Sequence, residues 1–378
     1  MKTKLFKKAT AIGLSVLLAA GSLTGCGSNG TSTDNTAANE TVVKEAESGT
    51  EPAAAPEATG DGADVSAEKT GDGLVFKVIA MNAASPYWLS VKNGAEKAAE
   101  EMGSEYGGIK IEYVAPQEDT DTQKQLEMVE NAISQGVDGI LIAPCSPTVP
   151  HDAIVEAIDE GIKVIVIDQY LDPMDANGFF GTNGVNMCTE LGEYIADNHL
   201  DGSGSYAEMV FNMTSLASID RYNGFISGIT GKYPDMKDVG YQITESDINK
   251  TTSLVANVYQ ANPDLKCIFA NNDRTALGVL NGIKELGIEG QITVCAVDCN
   301  LDLLKAMREG TIAALSLQMP YNQGYEGTKK LIALVNGEEI EKESDSGSFL
   351  LTPDNMDTDE AVAAIQQYID GYKPEDSK

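Results

Sequence analysis

The side chains best suited to chemistry in this sequence lie where short apolar segments end. These ends read "NAASPYW", "APCSP", "IDQY", "NNDR", "VDCN" and "LQMP", and another polar stretch, "SIDRYNGF", follows the segment "YAEMVFN". Carboxylate, amide and guanidinium groups bond two neighbouring hydroxyls at once, and an aromatic ring covers the C–H face of a sugar. The set therefore predicts a site for an uncharged ring that carries several hydroxyl groups. Its members are Ser85, Tyr87, Trp88, Asp168, Gln169, Arg221, Asn272, Asp273, Asp298 and Gln318.

Two of these residues also have a simple structural interpretation. An aspartate at the end of a strand is often the N-cap of the next helix, and Asp273, which precedes "RTALG", is the best candidate for that role. Trp88 shares a helical face with Val91 and Ala95, so its ring is compatible with core packing as well as with ligand contact. Polar residues at strand ends in both halves of the chain nevertheless favour a ligand cleft.

The elements that would position these residues alternate along the chain. From Leu74 onward, the segments "LVFKVIAM", "IKIEYVA", "VDGILIA" and "KVIVID" are separated by amphipathic helix patterns. Apolar strands that alternate with helices predict a parallel sheet covered on both faces. The carboxyl ends of such strands meet at one edge of the sheet, which is where open α/β sheets bind ligands.

The same series occurs a second time, as "YAEMVFN", "DVGYQI", "LKCIFA" and "ITVCAVD". The fourth segment of each series ends at an aspartate. Asp168 lies 94 residues after Leu74, where the first series begins, and Asp298 lies 93 residues after Ser205, where the second begins. A helix, the strand "TIAALSLQ", a second helix over 321–336 and a strand near "SFLLT" are predicted to follow. We therefore expect an α/β protein with two similar, doubly wound parallel-sheet lobes and a ligand cleft between them.

The amino-terminal residues predict export. Four lysines precede the apolar stretch "AIGLSVLLAAGSL", a pattern typical of a secretory signal rather than a transmembrane span. The following "LTGC" resembles the lipobox of bacterial lipoproteins, which implies a signal peptide over 1–25 and a diacylglyceryl group on Cys26. Residues 26–72 contain few large apolar side chains and predict a disordered acidic tether. The expected location is extracytoplasmic, with a lipid anchor in the cell membrane.

Charge and cysteine content exclude several classes of function. The formal net charge is −32, which argues against nucleic acid as a partner. If Cys26 is lipidated, the five remaining cysteines show no paired spacing, and the chain has two histidines. No metal site, cofactor or Cys-His nucleophile is therefore predicted, and most of the thiols are expected to be small core residues.

Seven stretches in this order resemble the ribose-type, sugar-binding branch of the type I periplasmic binding proteins, the solute receptors of ABC importers. They are "ASPYW", "IVIDQ", "GTNGVN", "DRYNGF", "IFANNDRTALG", "VCAVDCN" and "AALSLQMPYNQG", and the resemblance runs from about Leu74 to Thr352. Gln169 departs from the arginine that ribose receptors usually carry, so the identity of the sugar is not predicted. The resemblance implies that a monosaccharide is contacted by Ser85, Tyr87, Trp88, Asp168, Arg221, Asn272, Asp298 and Gln318.

The resemblance also implies a three-segment hinge, because chains of this family cross between the lobes three times. The crossings are expected near 181–183, 318–319 and 351–353. The first lobe would then comprise residues 74–182 and 319–351, and the second would comprise residues 183–318 and 352–378.

The implied function is capture of a neutral monosaccharide or a related polyol by a monomeric lipoprotein that delivers it to an ABC-type permease. Two alternatives keep the binding step: a sensor that presents its ligand to a membrane chemoreceptor or kinase, and a binder of another kind of small molecule. Sugar-responsive repressors share the fold, but this chain lacks their basic amino-terminal helix-turn-helix.

An enzyme is the alternative of a different class. Asp168 and Asp298 could form the acid and nucleophile of a glycosidase, which requires one carboxyl group with a raised pKa. Arg221 is expected to keep both carboxylates ionised, and we therefore predict that the protein is not an enzyme.

Overall fold

The computed structural model describes residues 73–83 and 85–378. The predicted signal peptide, the lipidated Cys26 and the tether lie outside these residues. Within the described ranges, no helix combines the length and the apolar character needed to cross a membrane.

The first lobe contains a six-stranded sheet in the order β11-β5-β4-β3-β1-β2, in which all neighbouring strands are parallel. All four residues of the inner strand β3 are buried, as expected for a parallel sheet with helices on both faces. The strands are β1 (Leu74–Ile79), β2 (Ile109–Val114), β3 (Gly139–Ile142), β4 (Lys163–Ile167), β5 (Gly178–Gly181) and β11 (Glu343–Asp345).

The second lobe contains another six-stranded sheet, in the order β12-β10-β9-β8-β6-β7. Its strands are parallel except for β12, which pairs antiparallel with β10. The strands are β6 (Ser205–Val210), β7 (Lys237–Ile243), β8 (Leu265–Ala270), β9 (Thr293–Val297), β10 (Ile312–Gln318) and β12 (Ser348–Leu351).

The two sheets repeat one topology. The order β2-β1-β3-β4-β5 of the first sheet is matched strand for strand by β7-β6-β8-β9-β10 of the second. The predicted fold, two similar parallel-sheet α/β lobes, is confirmed. The carboxyl ends of β4 and β9 therefore occupy equivalent positions in the two lobes.

Ten α-helices connect and cover the strands of the described residues. Several begin at a side-chain N-cap, such as Asp121 before α2 and Ser215 before α5, which satisfies an otherwise unpaired backbone amide. Short 3₁₀ helices lie over Gly103–Tyr106 and Pro374–Ser377. The α-helices are α1 (Pro86–Met102), α2 (Thr122–Gln135), α3 (His151–Asp159), α4 (Gly184–Asn198), α5 (Leu216–Lys232), α6 (Ile248–Ala261), α7 (Asp273–Leu286), α8 (Leu301–Arg308), α9 (Pro320–Val335) and α10 (Asp359–Gln366).

The chain passes between the lobes after β5, after β10 and between β11 and β12. After the first passage α4 packs on α5, and after the second α9 packs on α1. A glycine permits the second contact, because a Cβ on Gly324 would lie 1.9 Å from the carbonyl oxygen of Val91. That these passages act as hinges stays a prediction.

The third passage differs from the expected place near 351–353. Strand β12 was assigned to the first lobe, but Ser348–Leu351 pairs with β10 in the second sheet, and the side chain of Leu351 is fully buried in the second lobe's core. The passage therefore lies at 346–347. Strand β11 is not predicted from the sequence either, because "ESD" is a polar edge strand without an apolar pattern.

Apolar side chains fill the space on both faces of each sheet. Ile140 and Val166 belong to one cluster of the first lobe, while Leu141 and Ile167 belong to the other, as the two-residue period of a strand requires. Four of the five cysteines in the described residues are buried, which fits the expectation of small core residues. The rigid sheets hold the strand ends at which the polar residues lie.

Candidate functional site

The carboxyl ends of the strands from both lobes enclose a cavity of about 210 Å³, the inner cavity. This volume is below the roughly 300–1,000 Å³ of a site for a drug-sized molecule. Asp273 lines the inner cavity, together with all nine residues that the sequence analysis assigned to ligand binding: Ser85, Tyr87, Trp88, Asp168, Gln169, Arg221, Asn272, Asp298 and Gln318.

Asp168 and Asp298 share an unusual backbone conformation at equivalent positions after β4 and β9. Their φ angles are 61° and 70°, in the left-handed region that side chains other than glycine rarely adopt. Such strain persists where the surrounding structure holds it in place, and it concentrates at functional sites. The conformation is repeated in both lobes, so the two carboxylates are matched features of the shared topology.

The carboxylate of Asp168 is held by neutral donors. The Tyr87 hydroxyl donates a hydrogen bond of 2.7 Å to Oδ1, and the Gln169 amide donates one of 2.9 Å to Oδ2. Gln169 in turn accepts a hydrogen bond from the hydroxyl of Ser215, the N-cap of α5 in the second lobe. Both polar atoms of the Gln169 side chain thus bond within the protein, where the amide helps to orient Asp168; contact of Gln169 with a ligand stays a prediction.

The carboxylate of Asp298 has a similar pair of donors. The Gln318 amide and the Tyr368 hydroxyl donate hydrogen bonds of 2.8 and 2.9 Å to its Oδ1 atom. The Tyr368 hydroxyl also accepts a bond of 2.8 Å from the backbone amide of Gln318. Since one oxygen of Asp298 receives both side-chain bonds, its other oxygen has lone pairs left for a ligand hydroxyl.

Arg221 is the cation that faces these two carboxylates. Its side chain is 4% exposed, and Nη1 donates a hydrogen bond of 2.9 Å to the backbone oxygen of Asn271. No ion pair of 4.0 Å or less joins it to Asp168 or Asp298 among the described residues. Burial would lower the pKa of Arg221, but the carboxylates outweigh it and raise the pKa. The guanidinium therefore keeps its charge and several donors in the inner cavity.

Burial has the opposite effect on Asp298. It raises the pKa of this carboxyl from 3.8 to about 6, although Arg221 lowers it. Loss of hydration at Asp298 therefore outweighs the attraction of Arg221, although Arg221 favours the ionised carboxylate as expected. At neutral pH the group is still largely ionised.

This raised pKa predicts a pH dependence of folding stability. A carboxyl whose pKa is higher in the folded state stabilises the protein below about pH 4, and the contribution is lost as the pH rises to about 6. In Asp298→Asn the side chain cannot ionise. The free energy of unfolding of the variant, relative to that of wild type, should therefore increase by about 2–3 kcal/mol from pH 4 to pH 7. Chemical denaturation of both unliganded proteins across this range measures it. A difference that does not change with pH would contradict the assignment.

The N-cap of α7 is the residue before the one expected from the sequence. Asn272, not Asp273, is the N-cap of α7, because its φ of −157° gives the extended backbone that a cap requires and its Oδ1 accepts a bond from the amide of Thr275. Its Nδ2 donates to the hydroxyl of Ser246. Asp273 is the first residue of the helix and its carboxylate accepts bonds from the amides of Arg274 and Asn300.

The two rings of "SPYW" have different surroundings. Trp88 is 6% exposed and packs in the first-lobe cluster that contains Val91 and Ala95, yet it also lines the inner cavity. The Tyr87 ring contacts Trp88 edge-on, with centroids 4.8 Å apart, and the Tyr368 ring at 5.8 Å. The two alternatives for Trp88, core packing and a position at the ligand, are therefore compatible with each other.

Several contacts join the lobes near the inner cavity. They include the hydrogen bond between Ser215 and Gln169, the ring contact between Tyr87 and Tyr368, and a hydrogen bond from the Ser90 hydroxyl to the backbone oxygen of Gln367. The lobes therefore touch near the inner cavity.

Several residues of the site were not found from the sequence. Tyr368 follows α10 at the far end of the chain, where no strand signals a site. Phe211 and Asp119 also line the inner cavity. Phe211 directly follows β6, so the rule that found the other strand ends could have included it.

Comparisons with known proteins support a common fold and a common family. A model described as a periplasmic binding protein domain matches residues 76–339. The ribose import binding protein of Bacillus subtilis is 28% identical over 258 residues, which cover 68% of this chain and 80% of that protein.

Solved structures extend the similarity to three dimensions. An ABC transporter solute-binding protein from Agrobacterium vitis with bound D-fucose has a TM-score of 0.70 and 28% identity, covering 76% of this chain and 98% of that one. A carbohydrate transporter solute-binding protein from Agrobacterium radiobacter in complex with D-arabinose has a TM-score of 0.73 and 26% identity, covering 78% and 99%.

Proposed function

Since the chain belongs to the periplasmic binding protein family, in the sugar-binding, ribose-type branch, we propose that it captures a neutral monosaccharide or a related polyol in the inner cavity. The family is extracytoplasmic, and the relatives above are named as binding proteins rather than enzymes. The finer proposal is that this chain delivers its ligand to an ABC-type permease.

The observation that carries this proposal is the matched pair of carboxylates in the two lobes. Asp168 and Asp298 have the same left-handed backbone, and each is held by one tyrosine hydroxyl and one glutamine amide. A ring with hydroxyls on opposite edges could donate to both carboxylates while a third hydroxyl accepts from Arg221. Such a ligand would bridge the lobes.

The charges in the inner cavity favour a neutral ligand. Five acidic residues line the inner cavity against two arginines, Arg221 and Arg274, so an anion would face an excess of carboxylates, and burying an unmatched charge costs several kcal/mol. A cation would face Arg221, which is buried and charged. Hydroxyl groups can both donate and accept, so they meet both kinds of group without a net charge.

Thermal shift of residues 73–378 against a ligand panel tests the proposed function. The neutral arm contains D-ribose, D-arabinose, D-fucose and xylitol, and the charged arms contain D-galacturonate, D-ribose 5-phosphate and D-glucosamine. We expect at least one neutral compound to raise the melting temperature by several degrees, because a ligand at 100 times its Kd stabilises by about 2.7 kcal/mol. A larger shift with a charged compound, or no shift with any sugar or polyol, would contradict the proposal.

We further propose that Cys26 carries the lipid that anchors the protein to the membrane, on the strength of "LTGC" and the acidic segment that follows. Full-length wild type, expressed in a bacterium, should remain with the membrane fraction, and Cys26→Ala should not, because the two acyl chains of a lipoprotein suffice for stable anchoring. Cys145→Ala is the control, since this thiol lies in the folded lobes. Equal membrane retention of wild type and Cys26→Ala would contradict the anchor.

The proposed oligomeric state is a monomer, in which one chain supplies both lobes of the site. Residues from both lobes complete the inner cavity within the described chain, so no second copy is required to form it. Light scattering of residues 73–378 should give the mass of one chain at all concentrations.

A further inference from the structure

A second and larger cavity, of about 660 Å³, adjoins the inner cavity and is here called the outer cavity. The two cavities share four lining residues: Met81, Asp119, Gln169 and Phe211. A molecule that fills the inner cavity would therefore have the outer cavity next to it, within reach of a substituent on the same molecule.

The outer cavity differs from the inner cavity in chemistry. Its first-lobe wall includes Pro144, Pro147 and Tyr170, and its second-lobe wall includes Met213, Leu216 and Ile243. The Tyr170 ring stacks on Phe179 with centroids 4.0 Å apart, which holds the aromatic wall in place. Apolar and aromatic surface thus faces this space from both lobes, beside a cavity that contains several carboxylates and amides.

Two of the apolar residues in this wall are unusually exposed. Leu216 and Ile243 are each 40% exposed and are among the five most exposed large hydrophobic side chains of the described residues. Exposed apolar surface that is continuous with a polar cleft is typical of a ligand-binding groove. Leu216 opens α5, the helix that carries Arg221, and Ile243 ends the edge strand β7.

One polar atom marks the junction of the two cavities. Asp119 lines both, and its carboxyl group is hydrogen-bonded by Asn82, but its Oδ1 atom is buried with no hydrogen-bond partner within the described part of the chain. A buried carboxylate oxygen without a donor is costly, and a ligand hydroxyl at the junction would satisfy it. A hydrogen-bond acceptor, the Oδ1 atom of Asp119, therefore lies where the polar lining of the inner cavity meets the apolar lining of the outer cavity.

We propose that the physiological ligand is a glycoside, with its sugar ring in the inner cavity and an apolar or aromatic aglycone on the anomeric carbon in the outer cavity. This inference rests on the proposed function and names the substrate class of that same site. Polar residues such as Thr148, Asn212 and Ser246 also line the outer cavity, but a second hydrophilic sugar would still leave some hydroxyls against Met213, Leu216 and Ile243. An aromatic group would bury the exposed surface of these three side chains.

Isothermal titration calorimetry with matched ligands tests the inference on the wild-type protein. For each neutral sugar of the panel above, the probes are the free sugar, its α- and β-methyl glycosides and its α- and β-phenyl glycosides. We expect one phenyl glycoside to bind about 10- to 100-fold more tightly than the matching methyl glycoside, because its ring is removed from water.

The outcomes separate this inference from the proposed function. If free sugars bind and no phenyl glycoside binds more tightly than its methyl counterpart, the glycoside assignment is wrong and monosaccharide capture stands. If a disaccharide made of the panel sugars gains more affinity than any phenyl glycoside, the aglycone is a sugar and the assignment is likewise overturned. If neither free sugars nor glycosides bind, the proposed function fails and this inference fails with it.

Variants locate the gain in affinity. The double variant Leu216→Asp, Ile243→Thr should reduce the affinity for the phenyl glycoside by about 10-fold or more and leave the free sugar nearly unchanged. Both substitutions suit their elements, because an acid in the first turn favours a helix and threonine favours a strand. Leu89→Asp is the matched control, an equally exposed leucine (43%) that lines neither cavity. If the double variant still binds the phenyl glycoside more tightly than the methyl glycoside by the wild-type factor, the phenyl ring lies elsewhere and the proposal is overturned.

Discussion

Replacing Arg221 with methionine should reduce the affinity for the best neutral sugar by about 100-fold or more. The guanidinium is the buried cation between Asp168 and Asp298, and hydrogen bonds from a charged donor contribute about 1.5–3 kcal/mol each. Methionine fills a similar volume without donors. In the unliganded variant, the pKa of Asp298 should rise further, because Arg221 now lowers it. Isothermal titration calorimetry at pH 7.5 measures the loss of affinity.

Arg308→Met is the control for removing an arginine from the second lobe. Arg308 pairs with Asp357, at 2.6 Å between Nη2 and Oδ1, and lies outside the lining of the inner cavity. The control should bind sugar like wild type, even if its melting temperature falls. If Arg221→Met binds as tightly as Arg308→Met, the site does not use this guanidinium.

Replacing Trp88 with alanine should affect both stability and binding. The indole is buried against Val91 and Ala95, so its removal should lower the free energy of unfolding by about 3–5 kcal/mol. The same indole lines the inner cavity, and Trp88 is the single tryptophan of the chain. Ligand should therefore change the wild-type fluorescence emission, which would report on this residue alone.

Trp88→Phe separates the two effects. A smaller ring refills most of the core volume, so stability should largely return, while any loss of affinity that remains reports on contact with the ligand. Unchanged emission of wild type on saturation with a ligand, together with full affinity in Trp88→Phe, would assign this ring to the core alone.

The sequence predicted the fold because its signals are periodic. Parallel strands that are buried on both faces, such as β3 and β4, appear in the sequence as short apolar segments. The helices between them appear as amphipathic patterns that alternate with these segments. The carboxyl ends of such strands must lie at one edge, so Asp168 and Asp298 could be placed in one site from their positions alone.

The parts that were missed depend on signals that one sequence does not contain. Asn272 and Asp273 are adjacent and both suit an N-cap, so the choice depends on a backbone angle. Tyr368 reaches Asp298 from a turn after α10, and only the packing of that segment on β10 brings the two together. The polar edge strand β11 has no apolar pattern, so it was not predicted, and the third passage of the chain was expected after β12 instead of before it.

A crystal structure of residues 73–378 with the tightest-binding neutral ligand would show whether the paired aspartates bind the sugar. We expect a sugar ring in the inner cavity, with hydroxyl oxygens about 2.5–3.2 Å from a carboxylate oxygen of both Asp168 and Asp298 and from a nitrogen of Arg221. A ligand that contacts only one of the two carboxylates, or that lies outside the inner cavity, would contradict the claim that the paired aspartates bind the sugar between the lobes.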